Sequence, residues 1–140
     1  MLSNVARVEA TRRTLAKYQA RAFDWRTRAT CIHMARAHLR NMGHRPPSVP
    51  DFRSALGART AMKKTGFSDV AAMLDSFLPR IAPASMWVGD LAVLPGDELF
   101  GSICISDTAG KLIGWHQDDP SGVRPQLVLS LDQVVGAWRV

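Results

Sequence analysis

The chain has 140 residues, 46% of them hydrophobic and 21% charged, a length that suits one domain and a composition that supplies a core without disulfide or metal staples. No stretch approaches the roughly 20 apolar residues that span a bilayer, and Met1–Ala10 carries no apolar run of the signal-peptide kind, so neither a membrane span nor a signal peptide is expected. The formal charge of +6 is split, with 14 Lys and Arg against 3 acids over residues 1–64 (+11) and 4 against 9 over residues 65–140 (−5).

A basic half of this kind fits an acidic protein partner, nucleic acid, or solvated helix faces. Neither an extended pattern of aromatic residues among the basic ones nor a reading helix is apparent, so nucleic acid is not the expected partner. Cys31 and Cys104 are far apart in sequence and read as unpaired thiols of a protein folded in a reducing cytosol.

In chain order, Val5 to Ala20 has helical periodicity, with Val8, Leu15 and Tyr18 facing a core and Arg12, Arg13 and Lys17 facing solvent. Phe23-Asp24-Trp25 interrupts it. A second helix is predicted from about Arg28 to Met42, with Thr30 as its cap and Gly43 and Pro46-Pro47 ending it. Asp51 is the expected cap of a third helix that turns Phe52, Ala55 and Leu56 inward and ends near Lys64. Ser68 and Asp69 open a fourth, with an apolar stripe of Val70, Met73, Leu74, Phe77 and Leu78 that Pro79 stops. The second half reads as strands: Asp90 to Leu94, Ser102 to Ser106, Leu112 to Trp115, Val128 to Leu131 and Val135 to Val140. Pro95-Gly96-Asp97 and Thr108-Ala109-Gly110 supply turns between them. Helices first and strands after predict an α+β domain, a helical half (about 5–79) packed on a small antiparallel sheet (about 88–140).

Cys31 is the first candidate for chemistry, because the unpaired N–H groups and dipole of a helix start favour a thiolate. A small buried apolar residue on a helix face is the competing reading. A nucleophile also needs a base and an oxyanion donor. His33 is two residues from Cys31 and on another helix face, His38 is two turns away, about 10 Å along the axis, and His44 lies in the loop beyond. Only His116, in Gly114-Trp115-His116-Gln117-Asp118, could cross the fold to Cys31, although a solvated loop position is the plainer expectation for it. Ligand spacing for a metal is missing, Asp118-Asp119 read as a solubilising turn, and no glycine-rich phosphate loop is present, so no cofactor is expected. Trp25, Trp87, Trp115 and Trp138 each sit at a predicted element edge.

The run Phe23-Asp24-Trp25 followed by Cys31 at a helix start, and the later Gly89-Asp90-Leu91, resemble NlpC-type papain-fold cysteine peptidases, which cut the peptide cross-bridges of bacterial cell walls. The layout is similar to that of a family of short phage and prophage proteins. Phe-x-Trp precedes the Cys helix, Gly57-Ala58 follows, and Ala137 to Val140 close the chain. The resemblance covers about residues 8–140 and implies a papain-like fold with Cys31 as nucleophile. It also places Ser102 where active enzymes carry the histidine base, and a position near Gly114 where they carry the group that orients it. Trp25-Arg26 and Thr30-Cys31 depart from the family's Trp-Gly and Asp-Cys.

The expectation is therefore a structural component of the distal phage tail, assembled in the host cytoplasm and carried in the virion against hub or tip proteins. The alternative is a working peptidase or amidase acting on peptidoglycan through Cys31 and His116.

Overall fold

The computed structural model describes residues 2–96, 101–116 and 118–140. They form an α+β architecture of four α-helices and one six-stranded antiparallel sheet. The helices are α1 (Asn4–Tyr18), α2 (Cys31–Asn41), α3 (Ala55–Lys64) and α4 (Val70–Asp75). The strands are β1 (Arg80–Ile81), β2 (Leu91–Leu94), β3 (Ser102–Ser106), β4 (Leu112–His116), β5 (Asp119–Pro125) and β6 (Gly136–Trp138), in the spatial order β1-β6-β2-β3-β4-β5. No helix among the described residues is long and apolar enough to cross a membrane.

Strand alternation divides the core. Leu91, Val93, Ile103 and Ile105 face the helices and join Met34, Leu39, Val70 and Leu74 in the main cluster, while Ala92, Cys104, Leu112 and Val134 form a small cluster on the opposite face.

Helix α1 does not bury an aliphatic stripe. Its inward face is Arg7, Ala10, Thr11, Thr14 and Tyr18, with Val8 and Leu15 only half-buried and Arg12, Arg13 and Lys17 exposed as expected. Those buried polar groups are satisfied. Arg7 donates to Asp90 Oδ1 at 2.8 Å and to the backbone oxygens of Val88 and Val140. Asp90 also accepts the backbone N–H groups of Trp87 and Val140, and Arg139 Nε lies 3.0 Å from its Oδ2. His38 lies 2.9 Å from the Thr14 hydroxyl through Nδ1 and 2.8 Å from the Gly89 oxygen through Nε2. Gly89 has φ +87°, and a Cβ there would stand 2.9 Å from Thr11 Oγ1. Gly89-Asp90 is thus the seam that fastens the two helices to the sheet.

Thr30 caps α2 by accepting the His33 N–H, and Gly43, with φ +90°, ends it in a left-handed turn. Four expectations are corrected. Ser54, not Asp51, caps α3, because Asp51 precedes Phe52-Arg53 in non-helical chain and stands 4.0 Å from Arg28. Leu56 lies on the outer face of α3 and is 71% exposed, while Ala58 and Met62 face inward. Helix α4 ends at Asp75, whose carboxylate accepts from Arg80 and from the Trp138 indole, so that Leu78 is buried beyond the helix and Phe77 stays outside. Val128 to Leu131 is not a strand, and the strand that pairs with β4 at the sheet edge is Asp119–Pro125. The turn at Pro95-Gly96-Asp97 falls partly outside the described residues.

Candidate functional site

The sheet opens between β3 and β4, and that opening makes the site. The two strands pair only at Ile105↔Ile113 and Ser106↔Leu112; before Ile105 the ladder stops. On the other side of β3, Ser106 donates to the Asp90 carbonyl, and Leu94 to Leu91 pair with Ser102 to Ile105. Antiparallel pairs alternate in hydrogen bonding, so this register turns the Ile103 N–H away from β2, toward where β4 would continue. Helix α2 packs against β3 here, and the nearby Ile103 N–H acts to lower the Cys31 thiol pKa.

Cys31 is the first residue of α2, held by the Thr30 cap. Its own N–H and that of Ile32 also face the sulfur and, with Ile103, pull the thiol pKa down; burial outweighs all three and leaves it raised. The thiol is half-buried at a cavity of about 730 Å³. Phe23, Trp25, Ile32, Trp115, Leu127 and Val128 give it apolar walls, and Ser102, His116, Asp118, Gln126 and Gln133 give it polar ones. The aromatic wall is preassembled: Phe23 meets Trp25 and Trp115 edge to face, and Trp25 meets Phe52.

His116 shares this cavity from the end of β4, the strand end where the sequence placed it, with its side chain 42% exposed. Among the described residues no hydrogen bond joins it to Cys31. Its Nδ1 accepts the Asp118 N–H at 3.1 Å. An accepting Nδ1 puts the proton of a neutral ring on Nε2, so this ring offers no lone pair there for a thiol proton.

Two of the other histidines, His33 and His38, are buried in the frame. His33 lies 2.8 Å from the Thr30 hydroxyl and packs on Phe52; burial and the nearby Arg28 lower its pKa to about 4. His38 is lowered to about 4 by burial. His44 is exposed beyond α2.

Cys104, on the far side of the sheet, is pushed up to about 12 by burial. A Cβ on Gly114 would come within 2.8 Å of its sulfur, so that position has no room for a side chain. Among the described residues no three His, Cys, Asp or Glu side chains are placed to hold a metal ion. The parts of the site that sequence reading missed are the Ile103 N–H, Gln126 and Gln133. No motif marks them: the Ile103 N–H reaches the site through the strand register, Gln126 through its bonds to Leu112 and Gly114 of β4, and Gln133 through a short helical turn.

What these groups supply is a protonated thiol among three N–H donors, an arrangement able to hold a carbonyl oxygen or carboxylate. No curated protein matches the chain. A family model described as a domain of unknown function (DUF6950) matches residues 6–140, and the chain belongs to that family.

Proposed function

We propose that the chain is a papain-like domain of the NlpC type kept as a structural component of a phage tail tip, in which the cysteine site no longer cleaves peptides. One observation carries this reading: among the described residues no hydrogen bond joins the Cys31 sulfur to a base, and burial raises its pKa above the ordinary thiol value. Without a base, cysteine attack commonly slows by a factor of roughly 10²–10⁴. Two further features support it. Ser102, which the resemblance aligns with the catalytic histidine, lines the cavity beside Cys31 and takes no proton near neutral pH. Gly114, aligned with the orienting group, is filled against by Cys104. The tail assignment, with hub or tip proteins as partners, rests on the resemblance, and the +11 and −5 halves suit it by offering two unlike faces.

A second reading, a working peptidase or amidase on peptidoglycan, is favoured by His116 and Cys31 lining one cavity and by the donor trio, which would serve as an oxyanion site. It requires the His116 ring to give up the Asp118 N–H and turn a free lone pair to the sulfur.

Wild type and Cys31→Ala incubated with purified peptidoglycan fragments separate the two. The proposal expects no new amino termini from either, and release by wild type alone overturns it. Antibody labelling of purified phage particles tests the tail assignment, which fails if the chain is absent from them.

A further inference from the structure

The surface carries a second anomaly that the cavity chemistry does not use. Between β5 and β6, Leu127 is 81% exposed and Leu129 79%, with Leu131 and Val135 also outside. Four large aliphatics in nine residues is more than scattered surface hydrophobicity. Among the described residues Asp132, in the segment, has no cationic partner within 4.0 Å; Asp118, which lines the same cavity as Leu127, has only the His116 ring at 4.0 Å, and the nearby Arg124 is paired with Asp119 at 2.8 Å.

The opposite pattern stands on α3. Leu56 is 71% exposed, and Arg59 and Lys63 follow it on the same helical face, with Arg53 exposed just before the helix. Among the described residues none of these three cations has a carboxylate partner within 4.0 Å, the separation that still joins Arg28 to Asp51.

We propose that the Leu127–Leu129 fringe of one copy docks on the Leu56 face of α3 in a second copy, so that the chain assembles head to tail. An aliphatic strip bordered by Asp132 and Asp118 meets a leucine bordered by Arg53, Arg59 and Lys63, which gives both apolar burial and charge complementarity. Two different patches make the contact heterologous, and it builds a ring where the rotation closes and an open array where it does not. This assembly does not depend on the tail reading or on Cys31.

Sedimentation velocity across micromolar concentrations tests it on three samples: wild type, Leu129→Lys and Leu56→Glu. Both substitutions are at exposed positions, and circular dichroism checks that the fold is kept. Wild type is expected to self-associate, more weakly at high salt, and each variant to lose about tenfold or more in affinity. The two variants mixed should form a one-to-one dimer and nothing larger, since each retains the patch the other lacks. A monomeric wild type overturns the proposal. So does association that survives Leu56→Glu, which would mean the fringe pairs with itself or with another surface, and so does a mixture that stays monomeric.

Discussion

The Ile103 N–H faces the Cys31 sulfur at the point where β3 leaves β4. The assigned β3–β4 pairs end at Ile105, and α2 packs against β3 beyond them, which brings the thiol near that donor. The same opening admits Trp115 and His116 to the cavity wall. The end of that pairing, more than any single side chain, therefore shapes the site, and among the described residues no hydrogen bond gives the Cys31 thiol an acceptor for its proton.

The Arg7–Asp90 pair is the first test of the frame. Both side chains are about 1% exposed or less, and Asp90 accepts from α1, the Trp87 turn and the Val140 backbone. Asp90→Asn leaves a buried guanidinium uncompensated and is expected to cost about 3–5 kcal/mol, read as a lower urea midpoint. A change below about 1 kcal/mol would mean that the seam is not where the halves are fastened.

Acid should loosen the fold through His38. Its pKa of about 4 lies below the ordinary 6.5, so the unfolded chain binds the proton more readily. The stability it contributes is complete above about pH 6.5 and is lost as pH falls toward 4. The gap corresponds to at most about 3 kcal/mol. His33, shifted the same way but closer to solvent and beside Arg28, adds a smaller share. Denaturant midpoints at pH 7 and pH 4.5 should differ in that direction, and His38→Gln should flatten the difference.

Thr30 holds the start of α2 through the His33 N–H and lies 2.8 Å from the His33 ring. Thr30→Ala is expected to cost about 1–2 kcal/mol, and to change the Cys31 alkylation rate because the sulfur sits on the same turn. A stability loss with no change in thiol reactivity would separate the cap from the site.

Much of the helical half was legible because its signals are local. Thr30, Gly43 and Asp69 do as caps and stops what their chemistry dictates. The polar stripe of α1 was not, since Arg7, Thr11 and Thr14 are inward only because Asp90, Gly89 and His38 meet them from distant parts of the chain. Strand β5, Asp-Pro-Ser-Gly-Val-Arg-Pro, carries two prolines and a glycine and no alternation, as an edge strand tolerates. Val128 to Leu131 has the apolar look of a strand, but its leucines face outward. At the site, Cys31 on a capped helix start could be read from sequence, whereas the Ile103 donor follows from tertiary geometry and the His116 tautomer from the local turn to Asp118.

The most direct test of the central claim is the pH dependence of Cys31 alkylation by iodoacetamide, with Cys31→Ala as the blank for the buried Cys104. A thiol raised by burial and without a base should react slowly at neutral pH, its rate climbing without a shoulder until the pH passes the ordinary thiol range. A reactive plateau reaching down to about pH 6, abolished by His116→Ala, would reveal a thiolate–imidazolium pair and contradict the account.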